Sequence, residues 1–422
     1  MSEEKNYIIG YDLSKKYVQI SYVTFEKDEG DVYNIPLCLC KRNGANQWFY
    51  GEEAVRYAAA GKGTLLEGLC ELATAGGLVT VDERKLDPVE LLALFIRNTL
   101  SQLGLYKENV HVKALVVSVE GLTREMLACL ERVKNIAMAG FEGVYFESRV
   151  ESLFYYTIHQ PKELWSYEVA VMDFSEGYFK TYRVEMNRRS RPILTTIEEE
   201  AYEDITLPDE TLSIMEKDHF LTQLDEKLFG IMEQFLEGRL VTSIYLTGKI
   251  FDKEWYPQTR KLICHNRRVF GGSNLYSKGA CLGGMEKIAP GENAKAYLYL
   301  GKEKLKENIG VVRMNQGKPE TEILLDGGIN WFEAKAEFEF MPGEDYKLPI
   351  VIVPLDGSRE RIVPVILPQI KGRDLKSMKY ACTLTMKSET ELSVVVEDLG
   401  FGAFYKPGGR KYEEMILLGG KL

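Results

Sequence analysis

A chain of 422 residues, 45% hydrophobic and 27% charged, is too long for one economical core and too polar for a membrane bundle, so two or three globular domains are expected. A formal charge of -10 sets the overall field against nucleic acid and against anionic membranes, so neither is expected as a partner. Seven cysteines without a Cys-x-x-Cys pair and four scattered histidines exclude a disulfide framework and a recognisable zinc site, and the charged start before Tyr7 lacks a signal-peptide core, so a cytoplasmic location is expected.

The first apolar runs, Tyr7 to Tyr11 and Tyr17 to Thr24, flank the polar turn Ser14-Lys15-Lys16 and read as a hairpin. Asp87-Pro88-Val89-Glu90 combines a capping aspartate, a proline at the first helical position and a glutamate three after the cap. A helix is therefore predicted from there to about Gly104. Ala114 to Val119 reads as a buried strand, and Leu122 to Ala139 as a helix through its three-and-four apolar spacing. A second helix is expected around Glu151 to His159; its run Phe154-Tyr155-Tyr156 reads as packing between two lobes.

A second strand pair, Glu168 to Met172 and Tyr178 to Glu185, is separated by Asp173-Phe174-Ser175-Glu176-Gly177, so the opening hairpin recurs. Phe220 to Leu236 reads as an amphipathic helix and Ser243 to Leu246 as a strand ending at Thr247-Gly248. After about Lys287 the texture changes to short strands: Ala294 to Leu300, Gly310 to Arg313, Pro349 to Val353, Ile362 to Leu367, Ala381 to Met386 and Glu391 to Glu397. The second of two domains is thus read as all-β, with Leu355-Asp356-Gly357-Ser358 as a hairpin turn.

Two hairpins, each opening with an aspartate that ends a strand, are what is needed to hold a nucleotide's phosphates between two lobes. Turn N–H groups bond phosphate oxygens and the aspartates hold a hydrated divalent cation. Asp12 and Asp173 fit those places.

On these residues the chain resembles the actin-like ATPase superfamily, and within it the seventy-kilodalton heat-shock chaperones. YIIGYDLSKKY, Tyr7 to Tyr17, looks like the first phosphate loop, and VAVMDFSEGYF, Val169 to Phe179, is similar to the second. Phe146-Glu147-Ser148 lies where those chaperones have a metal-facing glutamate, and YLTGK (Tyr245 to Lys249) with VFGGSNLYSKGACLGG (Val269 to Gly284) looks like the adenosine segment and the closing helix. ETELSVVVEDLGF, Glu389 to Phe401, resembles a late strand of the chaperone substrate domain. The order of these segments along the chain is stronger than any one of them.

The resemblance implies a two-lobed, ribonuclease H-like α/β domain over 1–288, with lobes of about 1–165 and 166–288, followed by a β-sandwich-like domain over 289–422. It implies ATP or ADP with magnesium as the cofactor: Asp12 and Asp173 on the metal, Glu147 and Asp173 catalytic, and Ser14, Lys15, Lys16, Ser175, Gly177, Gly248, Lys249, Gly272 and Ser273 around the nucleotide.

The departures bear on mechanism. Lysines stand after the first aspartate, Ser175 and Glu176 replace glycines, Tyr178 stands for threonine, and a phosphate-contacting lysine near Thr64 to Cys70 is missing. An inward Glu176 about 4 Å from a phosphate charge would cost about 1 to 4 kcal/mol unless a cation offset it; an outward one would be a solvated turn. The short distance from the second loop to Gly248 implies a reduced upper subdomain. Two readings follow: a weak chaperone-like ATPase, or an inactive pseudo-ATPase serving as scaffold, with an unidentified protein partner on the β domain. An actin-type filament and a sugar or acid kinase rank below both.

Overall fold

The structure, a computed structural model, describes residues 5–24, 32–104, 110–209, 211–272, 274–315, 318–343, 346–368, 370, 373–374, 377–402, 404–409 and 411–419. The chain divides into two compact units, Met1–Met186 with Ile197–Ala296, and Asn187–Thr196 with Tyr297–Leu422. The first is mixed α/β and the second strand-rich. No described helix is long and apolar enough to cross a membrane.

Two sheets organise the first unit. In one, the strands run in the order Val144–Ser148, Val110–Val119, Lys5–Leu13, Tyr17–Thr24 and Tyr33–Pro36. Lys5–Leu13 is antiparallel to Tyr17–Thr24 and parallel to Val110–Val119, which is parallel to Val144–Ser148. The other runs Arg268–Gly271, Val241–Thr247, Glu168–Asp173, Tyr178–Asn187 and Ile193–Thr206, with Tyr297–Tyr299 as a sixth, outer strand, and has the same antiparallel hairpin at its centre and the same two parallel neighbours. Each half therefore has the strand order five-four-one-two-three, and the recurrence of the hairpin in the sequence extends to a whole sheet.

Local chemistry explains four of the helix starts among the described residues. Asp87 caps Pro88–Gln102 by accepting the Val89 N–H, Thr123 caps Arg124–Ala137 through the Met126 N–H, and Ser148 caps Arg149–Ile158 through the Glu151 N–H. The helix Ile214–Leu236 starts on a complete capping box between Ser213 and Glu216, six residues before the predicted start at Phe220. Ala294 to Leu300 departs from the expected strand: Glu292–Ala296 is one helical turn after Pro290-Gly291, and the strand is only Tyr297–Tyr299.

The two halves of the first unit meet through their last helices. Arg149–Ile158 crosses Leu275–Ile288 where Gly279 lies against the Ser152 backbone, so that an added Cβ would overlap the Ser152 carbonyl. Gly10 makes the same kind of approach between Lys5–Leu13 and the Leu275–Ile288 helix, where a Cβ would overlap the Ser277 carbonyl. Glycine is required at both points because backbone packs directly on backbone. Tyr156 meets Tyr245 of the second sheet edge-on at 5.4 Å, so this part of the aromatic run packs one half against the other.

In the second unit two four-stranded antiparallel sheets share one apolar core. One is ordered Lys318–Leu325, Glu307–Asn315, Lys347–Pro354, Arg361–Ile366; the other is Lys335–Phe340, Tyr380–Met386, Glu391–Asp398, Lys411–Leu417. Tyr380–Met386 alternates buried and half-buried residues along its length, as a strand with one face on a core must. Ile309, Ile350, Leu384 and Val394 are drawn from both sheets into that core.

Candidate functional site

The two hairpin turns bring both candidate aspartates to strand ends inside the first unit. Ser14 Oγ accepts the N–H of Tyr17 at 3.0 Å and of Lys16 at 3.3 Å, which fixes the first turn. In the second turn Asp173 Oδ1 accepts the Ser175 N–H at 2.6 Å, and Gly177, at φ 90°, closes the turn by donating to the Phe174 carbonyl. Asp12 and Asp173 are 3% and 2% exposed.

A side chain not expected from the sequence lies between them. Arg149, the first residue of its helix and 3% exposed, donates from Nε to Asp12 Oδ1 at 2.6 Å and from Nη2 to Asp12 Oδ2 at 3.0 Å. Its Nη1 donates to Glu176 Oε1. The same guanidinium lies 5.0 Å over the ring of Tyr276, whose hydroxyl donates to Asp173 Oδ2 at 2.7 Å. All four carboxylate oxygens of Asp12 and Asp173 thus have partners within the protein. A fork-shaped donor set held bidentately is the strongest form of such a pair.

The cluster sets three carboxylates against one guanidinium. Burial raises the Asp12 and Asp173 carboxyls above the usual carboxylate range, and Arg149 reverses this only in part. Burial alone would lower the Arg149 pKa, but Asp12 and Glu176 outweigh it and hold the guanidinium charged. Glu176 Oε2 and Ser175 Oγ are buried with no hydrogen-bond partner among the described residues. Of the two orientations open to Glu176, the inward one is adopted, and the cation that offsets its charge is Arg149.

A hydrated divalent cation does not fit this arrangement, because the oxygens it would need are engaged and the aspartates are shut from water. Among the described residues no group of three or more His, Cys, Asp or Glu stands so as to hold a metal ion.

The remaining candidates surround this cluster or stand apart from it. Lys15 pairs with Glu120 at 3.4 Å, and Lys16 is exposed. Lys180 joins Glu120 at 2.5 Å and Glu199 at 2.8 Å. Burial works against the Glu120 charge, yet Lys180 and Lys15 pull its pKa down to about 2. Gly248, at φ 108°, packs directly on the Phe174 backbone, and Lys249 lies 4.8 Å over the ring of Tyr17. Gly272 is exposed and donates its N–H to the Leu246 carbonyl just after Arg268–Gly271. Ser273 lies outside the described residues.

Glu147 belongs to a second buried cluster. It stands level with Asp12 in the first sheet, both being paired to Ser118 of the strand between them. Glu147 Oε1 accepts from Ser152 at 2.7 Å and Oε2 from Lys287 at 2.9 Å, and Lys287 also reaches Glu151 at 3.3 Å. Burial, with Glu151 adding to it and Lys287 opposing it, brings the Glu147 carboxyl to about 7. This glutamate faces an ammonium supplied by the closing helix.

Residues 21–302 match the family described as family of unknown function (DUF5716), C-terminal, about two thirds of the chain. The chain belongs to the DUF5716 family. Arg149, Asp173, Glu176 and Tyr276 all fall within the DUF5716 match, while Asp12 precedes it; residues 304–418 match a domain of unknown function (DUF8552) that coincides with most of the strand-rich unit. No curated protein matches the chain.

Proposed function

We propose that this DUF5716 chain is a catalytically silent relative of the actin-like ATPases, closest to the seventy-kilodalton chaperones, that uses the two-lobed fold as a scaffold and its strand-rich unit for contacts with a partner protein. The duplicated strand order, with a hairpin and a strand-end aspartate at the same place in each half, supports the relationship. The observation that carries the loss of function is the engagement of every oxygen of Asp12 and Asp173 by Arg149, Tyr276 and the Ser175 N–H.

In a working nucleotide site those oxygens face a hydrated cation and the turn N–H groups face phosphate. Here the positive charge is built in. The guanidinium takes the place of the ion electrostatically and cannot exchange, which turns a ligand-dependent junction between two halves into a permanent one. Glu147 is fully buried, with its oxygens bonded to Ser152 and Lys287, which sets it to hold the Lys287 ammonium rather than an attacking water.

The test is a titration with ATP and ADP, with and without magnesium, read by thermal shift and by phosphate release. The expected outcome is no shift at millimolar nucleotide and no turnover, since any binding to the folded state raises the melting point by mass action. A magnesium-dependent shift that disappears in the Asp12→Ala, Asp173→Ala double variant would overturn the proposal in favour of a weak ATPase.

A further inference from the structure

The second sheet of the first unit ends in a strand with an unusual sequence. Ile193–Thr206 pairs through its first three residues, in the second unit, with Tyr297–Tyr299. Beyond Thr195, no other described strand lies on that side of it. The residues left at this edge read Glu198-Glu199-Glu200-Ala201-Tyr202-Glu203-Asp204, five acids in seven positions. Arg183 and Lys180 of the neighbouring strand bind Glu198 at 2.9 Å and Glu199 at 2.8 Å, while Glu200, Glu203 and Asp204 are exposed.

An edge strand with unpaired N–H and C=O groups is a template for another strand. The exposed carboxylates of Glu200, Glu203 and Asp204 make pairing with a second copy of the same edge unfavourable, since like charges would lie opposite one another. The same row favours a basic strand, through charge complementarity that steers association and fixes register. We propose that this edge takes up an extended, lysine- or arginine-rich segment of a partner protein as an added strand. The positions altered in the test, Glu200 and Glu203, belong to none of the clusters around Asp12 and Asp173, so its failure and a failure of the nucleotide titration are separate results.

The probe is a labelled synthetic peptide of about twelve residues alternating lysine with valine, titrated into the full chain at low and high salt. The expected result is a dissociation constant below about 100 μM at low salt, weakened about tenfold or more by backbone N-methylation at alternate residues of the peptide. The paired charge reversal Glu200→Lys, Glu203→Lys, at exposed positions, should weaken binding by about tenfold. Amide exchange should slow in the strand after Thr196. Absence of binding at about 1 mM peptide, or equal binding of the N-methylated peptide, overturns the proposal: the second outcome means charge attraction without strand addition.

Discussion

The two buried ion clusters of the first unit occupy the same level of the fold and behave as opposites. Around Arg149 a planar fork meets the two Asp12 oxygens in parallel and reaches Glu176 with its remaining arm, so its geometry is fixed by bonding direction. Around Lys287 a single ammonium is shared between Glu147 and Glu151, and burial keeps the Glu147 proton within the physiological range at about 7. One cluster is a lock whose cation cannot be titrated away. The other is a pair of acids on one point charge that takes up or releases a proton as the surroundings change.

The largest expected effect breaks the lock. Arg149→Ala leaves Asp12 and Glu176 buried without their cation and should cost about 3–5 kcal/mol in urea unfolding. The triple change Arg149→Met, Asp12→Asn, Glu176→Gln should recover much of that loss, because it removes the stranded charges together with their partner. A cost under about 1 kcal/mol for Arg149→Ala would mean that water reaches the cluster.

Next comes the pH profile of the Lys287 cluster. Glu147 has a folded pKa raised from 4.5 to about 7, so its stabilising contribution is complete below 4.5 and is lost as pH rises through 7. Its share of the slope is at most about 1.4 kcal/mol per pH unit between those limits. Denaturation midpoints across that window should fall with rising pH in the native chain and fall less steeply in Glu147→Gln.

Gly279→Ala tests the helix crossing that joins the two clusters' helices. Forcing a methyl group onto the Ser152 backbone should cost about 1–3 kcal/mol, read as a lower melting temperature. The smallest effect belongs to the cleft margin: Lys15→Ala removes a half-exposed partner of Glu120 and should change stability by about 0–1 kcal/mol, less at high salt.

What the sequence made legible was local or repeated. The Asp87-Pro88-Val89-Glu90 start, the Ser14-Lys15-Lys16 turn and the two strand-end aspartates each carry their signal within a few residues, and the recurrence of the hairpin ties the aspartates together. Arg149 is separated from Asp12 by 137 positions, and no periodicity links them. One signal was available: a cation at the first position of a helix opposes the helix dipole, and such a local conflict calls for a compensating carboxylate.

The Leu275–Ile288 helix was hard to delimit for a different reason. Leu275, Gly279, Cys281 and Gly284 are all buried, so packing surrounds the helix and leaves little apolar stripe to read. The edge strand Ile193–Thr206 was missed because its row of glutamates lacks the alternation that marks a half-buried strand.

The close seat of Gly10 on the Leu275–Ile288 helix has a consequence for synthesis. Cys281 of that helix bonds the Ile8 carbonyl across 273 positions of chain, so the central strand of the first sheet is made early and covered late. At about 5–20 residues per second, that strand waits roughly 14 to 55 seconds for the helix that completes its core. The first half cannot finish folding as it leaves the ribosome, and the nascent chain carries an open apolar face for that interval.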